Sequence, residues 1–305
     1  MLEKAASLPA DEVFIDLEDA VAPLDKNDAT RDRVVRALTV QDWQAQTLGV
    51  RVNAVNTKWC HRDILAVVEG AGQRLDIVML PKVEEAAHVH FAHHLLGQIE
   101  AASGLKRRIA LEVQIETARG LMNIEAIAAA SPRIEALIFG PGDFAASLGI
   151  PQLSVGGEEP LYPGDRWHYA LSRIIVTARA FGQQAIDGPY AAIRDLDGLR
   201  RVATRSRLLG YDGKWAVHPD QVPVCNEVFQ PTQEEFDRAA QLEAAYAEAT
   251  SEKRLGAVIY DNEMIDEASR KMAEAVLLRG RASGMTARDH SGDRLHSDAR
   301  RERPA

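Results

Sequence analysis

Between Leu111 and Glu116 the chain alternates with a period of two. Leu111, Val113 and Ile115 fall on one side, and Glu112, Gln114 and Glu116 on the other. Successive strand side chains point to opposite faces, so this segment predicts a strand with one apolar face and one face of two carboxyls and an amide. Further strands are predicted at Glu12–Leu17, Leu48–Asn53, Asp76–Leu80, Ala136–Phe139, Gln184–Asp187 and Lys214–Val217. Patterns of helical period separate them, at Ala29–Leu38, His61–Gly70, Glu84–Ser103, Gly120–Ala130, Trp167–Phe181 and Ile193–Leu209. Strand and helix alternating at this spacing predict βαβ units and a parallel sheet.

Several strands carry polar residues on one face: Asp16 and Glu18, Arg51 and Asn53, and the Glu112–Glu116 set. A doubly wound sheet buries both faces and favours uninterrupted apolar strands. A small barrel fills its interior with side chains that turn polar near the mouth. The fold class expected is therefore α/β, a (β/α)8 TIM-type barrel over residues 1–229. The pattern yields seven strands, one short of eight, and the chain enters through a helix-like Met1–Ser7, so the barrel is expected to lack its first strand. Thr232-Gln233-Glu234-Glu235 then reads as a helix capping box opening a helix to about Thr250. Gly256–Ile259 reads as a short extended segment, Asp261–Met264 as a polar turn and Ile265–Arg279 as a last helix. Residues 230–279 thus form a C-terminal helical lid or oligomerisation segment. From 280 to 305 the chain is Arg-, Ser- and Asp-rich and is expected to be a disordered tail.

At 305 residues with 46% hydrophobic and 27% charged positions, the composition is that of a globular protein with a sizeable core. A net charge of −9 disfavours nucleic acid or a membrane surface as partner. Cys60 and Cys225 form no metal-ligand or redox spacing, and no targeting or membrane-spanning segment is legible, so a cytoplasmic location is expected.

The chemistry-bearing residues cluster at predicted strand ends. Asp16-Leu17-Glu18-Asp19 ends the first strand, Glu116 follows the fourth, and Gly140-Pro141-Gly142-Asp143 follows the fifth. Carboxylates gathered at one mouth repel one another and suit a hard divalent cation. Arg51 either clamps a carboxylate or enolate oxygen or pairs structurally with one of these acids. Lys82, in Pro81-Lys82, either binds an anion, lies on the surface, or serves as a Schiff-base lysine. His218 ends the seventh strand as a ligand-orienting or core histidine. His88, His90, His93 and His94 read as a solvated helix face, because no partner of metal-ligand spacing accompanies them. Neither a Walker loop nor a dinucleotide fingerprint nor a Gly-x-Ser-x-Gly elbow occurs.

Taken in order, Asp16-Leu17-Glu18-Asp19-Ala20-Val21, Arg51-Val52-Asn53, Leu80-Pro81-Lys82, Ile115-Glu116-Thr117, Phe139–Asp143, Ile186-Asp187-Gly188-Pro189, Gly213-Lys214-Trp215 with Val217-His218-Pro219, and Asp261–Asp266 resemble the citrate lyase β-subunit-like family, which includes malyl-CoA and citramalyl-CoA lyases. That resemblance implies a (β/α)8 barrel, commonly trimeric, that uses Mg²⁺ and cleaves or forms a carbon–carbon bond beside a CoA thioester. It implies Glu116 and Asp143 as magnesium ligands, Glu18 in the outer shell, and Arg51 at the thioester or carboxylate. Asp261 would be the acid contributed by a neighbouring subunit. Lys4 and the Lys214–Pro219 segment would contact CoA, with Asn53, Lys82 and His218 also expected at the substrate. Asn262 stands where the family usually has Gly, and the family's opening Leu-Phe-x-Pro-Gly-like strand is not found. The rival readings are a metal-dependent aldolase for free 2-oxo acids and a catalytically silent scaffold subunit.

Overall fold

A computed structural model describes residues 2–151, 155–157, 162–251, 256–261 and 263–288. The chain divides into two compact units, Met1–Phe229 and Gln230–Ala305.

The first unit opens with α1 (Leu2–Ala6) and then alternates. In order come β1 (Glu12–Asp16), α2 (Asp28–Val40), β2 (Thr47–Arg51), α3 (Cys60–Ala71), β3 (Ile77–Leu80), α4 (Ala86–Ser103) and β4 (Ala110–Ile115). They are followed by α5 (Ala118–Met122), α6 (Ile124–Ala128), β5 (Ile134–Phe139), α7 (Pro141–Ser147) and α8 (His168–Ala180). Finally come β6 (Gln184–Asp187), α9 (Leu196–Leu209), β7 (Gly213–Lys214) and α10 (Val222–Phe229). The seven strands form one parallel sheet in sequential order. Among the described residues the sheet has seven strands, and no ladder joins β7 to β1. Side chains approach across that seam instead. The rings of Phe14 on β1 and Trp215, just past β7, stack with centroids 4.7 Å apart, and Asn226 Nδ2 donates to Pro9 O at 2.7 Å. A curled sheet places its first and last strands in reach of each other, and such a stacked pair contributes about 0.5–1.5 kcal/mol beyond its buried area.

The alternation has the expected consequence. Ile15, Val50, Val78, Leu80, Leu111, Val113, Ile115, Leu137 and Phe139 join one apolar core with Leu38, Ile64, Val67, Leu96, Ile124 and Ile174 from the helices. The opposite face carries Glu12, Phe14, Asp16, Gly49, Arg51, Glu112 and Gln114. Local chemistry sets the helix ends. Asn27, Thr117 and Asp195 accept hydrogen bonds from Thr30, Gly120 and Gly198 N–H, respectively, and Gly104 and Gly210 end α4 and α9 in left-handed geometry.

Three expectations need correction. The helix expected over Gly120–Ala130 is two helices broken at Asn123, whose Nδ2 is drawn to Glu84 O at 2.8 Å. The strand expected over Lys214–Val217 is the two-residue Gly213–Lys214. In the second unit α11 (Gln233–Ser251) is followed by a hairpin of β8 (Val258–Tyr260) and β9 (Glu263–Ile265), then α12 (Glu267–Ala282). The expected final helix therefore gives its first residue, Ile265, to a strand. The helix then starts at Asp266, whose carboxylate forms a capping box with Ser269. It also runs through Gly280 rather than stopping there. A Cβ on Gly280 would lie 2.1 Å from Phe236 Cδ2, so glycine here serves close packing. Asn262 and residues 289–305 lie outside the described residues. No helix among the described residues is long and apolar enough to cross a membrane.

At the floor of the polar face, Glu12 and Glu112 reach toward each other over Gly49, where a Cβ would come within 3.0 Å of Glu12 Oε1. Burial chiefly, and then the nearby acids, raise both. Glu12 is pushed up to about 7, and Glu112 lies well above the ordinary range and keeps the proton they share. Groups whose folded value is raised bind more protons folded than unfolded, so their contribution to stability declines as pH climbs from 4.5 through about 7. Glu112→Gln should flatten that decline and raise the melting temperature by roughly 3 °C or more at pH 9, with little change at pH 5. Parallel pH–stability curves for the two proteins would show that the pair is not linked to folding.

Candidate functional site

The polar strand ends converge on one rim. Asp16 ends β1 and takes Arg51, from the end of β2, in a two-pronged contact: Nε to Oδ1 at 2.8 Å and Nη2 to Oδ2 at 2.5 Å. The same carboxylate caps the following loop, accepting from Glu18 and Ala20 N–H. Burial opposes ionisation of Asp16, yet these donors outweigh it and hold its carboxyl below the ordinary range. Arg51 Nη1 lies 3.4 Å from Glu18 Oε2, and the guanidinium sits 5.3 Å from the ring centroid of Trp215. Arg51 is thus held in orientation by an acid on one side and an aromatic ring on the other.

Lys82, just after β3, occupies the centre. Its Nζ is 2.5 Å from Glu18 Oε1, 3.6 Å from Asp19 Oδ1 and 3.6 Å from Asp143 Oδ2. Its backbone lies in the left-handed region at φ 51°, a conformation costing about 1–3 kcal/mol for a side-chain-bearing residue. That geometry aims the Lys82 N–H at Glu116 Oε1, 2.7 Å away. Burial works against its ammonium, but Glu18, Asp143 and Asp19 outweigh it and push the lysine upward. A Schiff-base lysine needs the opposite shift, so the aldolase mechanism through Lys82 loses its chemical footing.

Glu116 follows β4 and is 2% exposed. Gly140 gives it room, since a Cβ there would lie 2.2 Å from Glu116 Oε2. Burial first, and then the charge of Asp143, push its carboxyl up to about 8. Asp143, in the first turn of α7, is by contrast partly open to solvent. The structure therefore brings Glu18, Arg51, Lys82, Glu116 and Asp143 to one place, with Asp19 added.

Among the described residues no group of three or more His, Cys, Asp or Glu has the arrangement of a complete metal cage. Mg²⁺ does not need one, because it takes one or two carboxylates and keeps several waters. Two observations fit such an ion. The charge of Asp143 adds to the cost of ionising the buried Glu116, a cost a dication removes. Glu18 Oε2 and Gln114 Oε1, both buried, also lack a hydrogen-bond partner.

The remaining expected site residues have these surroundings. Asn53 is saturated: Nδ2 donates to Leu17 O and Asp63, and Oδ1 accepts from Lys26. Lys214 is buried against Asp187 and Gly188 O. His218 Nδ1 accepts from Asp220 N–H and caps a short turn. Lys4 is exposed on α1. Asp261 belongs to the second unit, at the turn between β8 and β9, with a left-handed φ of 49°. Trp215, expected only as part of the CoA-contacting Lys214–Pro219 segment, stacks on Phe14 and lies against the Arg51 guanidinium. Its position after β7, on the same face as Phe14 and Arg51, was the available signal.

Residues 1–219 match the sequence profile of the HpcH/HpaI aldolase/citrate lyase family. The chain is 40% identical over 286 residues to an L-malyl-CoA/beta-methylmalyl-CoA lyase of Rhodobacter capsulatus, covering 91% of this chain and 89% of that one. It is 34% identical over 277 residues to a malyl-CoA/beta-methylmalyl-CoA/citramalyl-CoA lyase of Chloroflexus aurantiacus, covering 86% and 78%. Among solved structures, the CitE protein of Mycobacterium tuberculosis, crystallised with magnesium, acetoacetate and coenzyme A, superposes with a TM-score of 0.70 at 29% identity, covering 89% of this chain and 90% of that one. With a family model matched over residues 1–219 and relatives 40% identical along most of its length, the chain belongs to the HpcH/HpaI aldolase/citrate lyase family.

Proposed function

We propose that this chain is a cytoplasmic, magnesium-dependent carbon–carbon lyase acting on a short hydroxyacyl-CoA such as malyl-CoA or citramalyl-CoA. Its sheet is read as the wall of a (β/α)8-type barrel with the reaction at the C-terminal rim of the strands. The observation that carries the reading is the buried Glu116 facing Asp143 across Lys82, an acid pair that repels itself unless a cation is bound. The relatives named above act on CoA thioesters, and the tuberculosis protein holds magnesium and coenzyme A together.

In the cleavage direction the hydroxyl proton passes to a rim carboxylate, the electron pair of the breaking carbon–carbon bond moves to the thioester side to give its enolate, and the enolate takes up a proton at its α-carbon. For malyl-CoA the products are glyoxylate and acetyl-CoA. A bound magnesium supplies Lewis acidity to the oxygens of the departing 2-oxo acid. Arg51, locked by Asp16 and Trp215, directs its guanidinium at the thioester enolate. Glu18 holds the Lys82 ammonium, and would stand in the outer shell of an ion held by Glu116 and Asp143. Asp261 moves the proton at the α-carbon, delivered from a neighbouring copy of the chain. The hairpin that bears it exposes Ile259 and Met264 at directly opposed positions, 76% and 72% accessible. Apolar residues paired on an open hairpin face support a homo-oligomer, and we read it as a trimer by the family resemblance.

Glu116→Gln and Asp143→Asn should each lower magnesium-dependent cleavage of malyl-CoA by about 10³-fold or more while leaving the far-UV circular dichroism intact, as expected for loss of electrostatic stabilisation worth about 4 kcal/mol. Retention of activity in both would end the assignment of these two carboxylates. Chromatography of the products decides the bond broken, since free CoA with malate would mean thioester hydrolysis instead.

Asp261→Asn should depress kcat by about 10²-fold or more with little change in the KM for acyl-CoA. An effect confined to KM would make Asp261 a binding residue.

A further inference from the structure

The buried pair Lys214–Asp187 takes no part in the chemistry above, and it does not face the rim. Alternation at the end of β7 turns Trp215 toward Phe14 and Arg51, so Lys214 points to the helix-covered face. Its side chain is only 3% exposed. Nζ donates to Asp187 Oδ2 at 2.6 Å and to Gly188 O at 2.7 Å. Asp187 Oδ1 accepts from Gly188 N–H at 2.8 Å, and Ser206 Oγ, from α9, donates to Oδ2. Both backbone polar groups of Gly188 are therefore held by this ion pair. A narrow cavity beside it is lined by Pro141, Trp167, Asp187, Gly188, Ser206 and Lys214, which places the lysine behind the Asp143 turn.

Gly188 in turn abuts that turn with no space left. A Cβ on Gly188 would lie 2.2 Å from Phe139 O and 2.2 Å from Pro141 Cδ. Pro141 begins the helix whose first turn carries Asp143. The neighbouring segment presses from another side: Gly142 meets Val155, and a Cβ on Gly156 would lie 2.1 Å from Pro189 O. Desolvating an ammonium and a carboxylate this deeply brings little net stability, since a well-packed apolar pair does as well. What the charges do supply is a fixed, directional grip on one peptide unit.

We propose that Lys214, through Asp187 and Gly188, is a positioning residue that sets the place of Asp143 relative to Glu116, and that it is not a contact for CoA. The inference rests on the reading of those two carboxylates as the magnesium site.

Calorimetric titration of Mg²⁺ into the full chain, without substrate, tests it. Three variants are compared: Lys214→Met, the double variant Lys214→Met/Asp187→Asn, which leaves no lone buried charge, and Gly188→Ala, which keeps the ion pair but pushes on Pro141. Magnesium affinity should fall about tenfold or more in each folded variant, with kcat recovering at high Mg²⁺ and the KM for acyl-CoA at saturating Mg²⁺ unchanged. Wild-type magnesium affinity in Gly188→Ala, or in the double variant, overturns the proposal. So does a raised KM for acyl-CoA with magnesium affinity intact, which would return Lys214 to the CoA site. Failure of the unaltered chain to bind Mg²⁺ at all would sink the carboxylate assignment itself and is read separately from the variants.

Discussion

Five carboxyl groups, those of Asp16, Glu18, Asp19, Glu116 and Asp143, share one rim with two cations, Arg51 and Lys82. Much of the architecture around that rim answers this imbalance. Arg51 directs both prongs at Asp16 and leaves one edge for Glu18; Lys82 lies among Glu18 again, Asp19 and Asp143. Two cations cannot neutralise five carboxylates, and Glu116, the most deeply buried, meets the remainder by favouring its proton. A dication is the economical remedy, because it supplies two charges at one point without a side chain's bulk. A left-handed Lys82 makes sense on the same terms. Its peptide N–H supports Glu116 while its ammonium, one flexible stem away, supports Glu18.

Much of this was legible in the sequence, because a closed polar face inside an α/β sheet is an anomaly that alternation exposes. Glu112, Gln114 and Glu116 on one side of a strand could not be a doubly wound core, and all three are buried on the face opposite Leu111, Val113 and Ile115. Asp143 behind a Gly-Pro-Gly turn was readable as a strand-end acid for the same reason. The backbone of Lys82 was not readable: nothing in Leu80-Pro81-Lys82 signals a positive φ, and the strain exists only because Glu116 waits for the N–H. Asn123 broke a helix through a contact with Glu84, remote in sequence, which no window of helical period contains.

Lys214 shows how a motif can mislead where alternation would not. Ordered with its neighbours, it matched a segment that contacts CoA in relatives, and a lysine near a thioester site invites an electrostatic role. Yet Trp215 is the residue that shares a face with Phe14 and Arg51, and adjacent strand residues cannot both look inward. Trp215 takes the inward position, and Lys214 is buried against Asp187 and the Gly188 carbonyl, the placement on which its proposed positioning role rests.

Glycines carry the last part of the arrangement. Gly140 leaves room for Glu116, Gly188 for Pro141 and the Phe139 carbonyl, and Gly156 for the Pro189 carbonyl, so three loops nest with backbone against backbone. A metal carboxylate on a loop would ordinarily wander by more than a coordination bond tolerates. Here the loop bearing Asp143 is seated against segments fixed by buried hydrogen bonds, and Glu116 is fixed by a peptide N–H. Rigid placement of two mutually repelling acids keeps their repulsion from being relieved by movement, so it is relieved by binding instead.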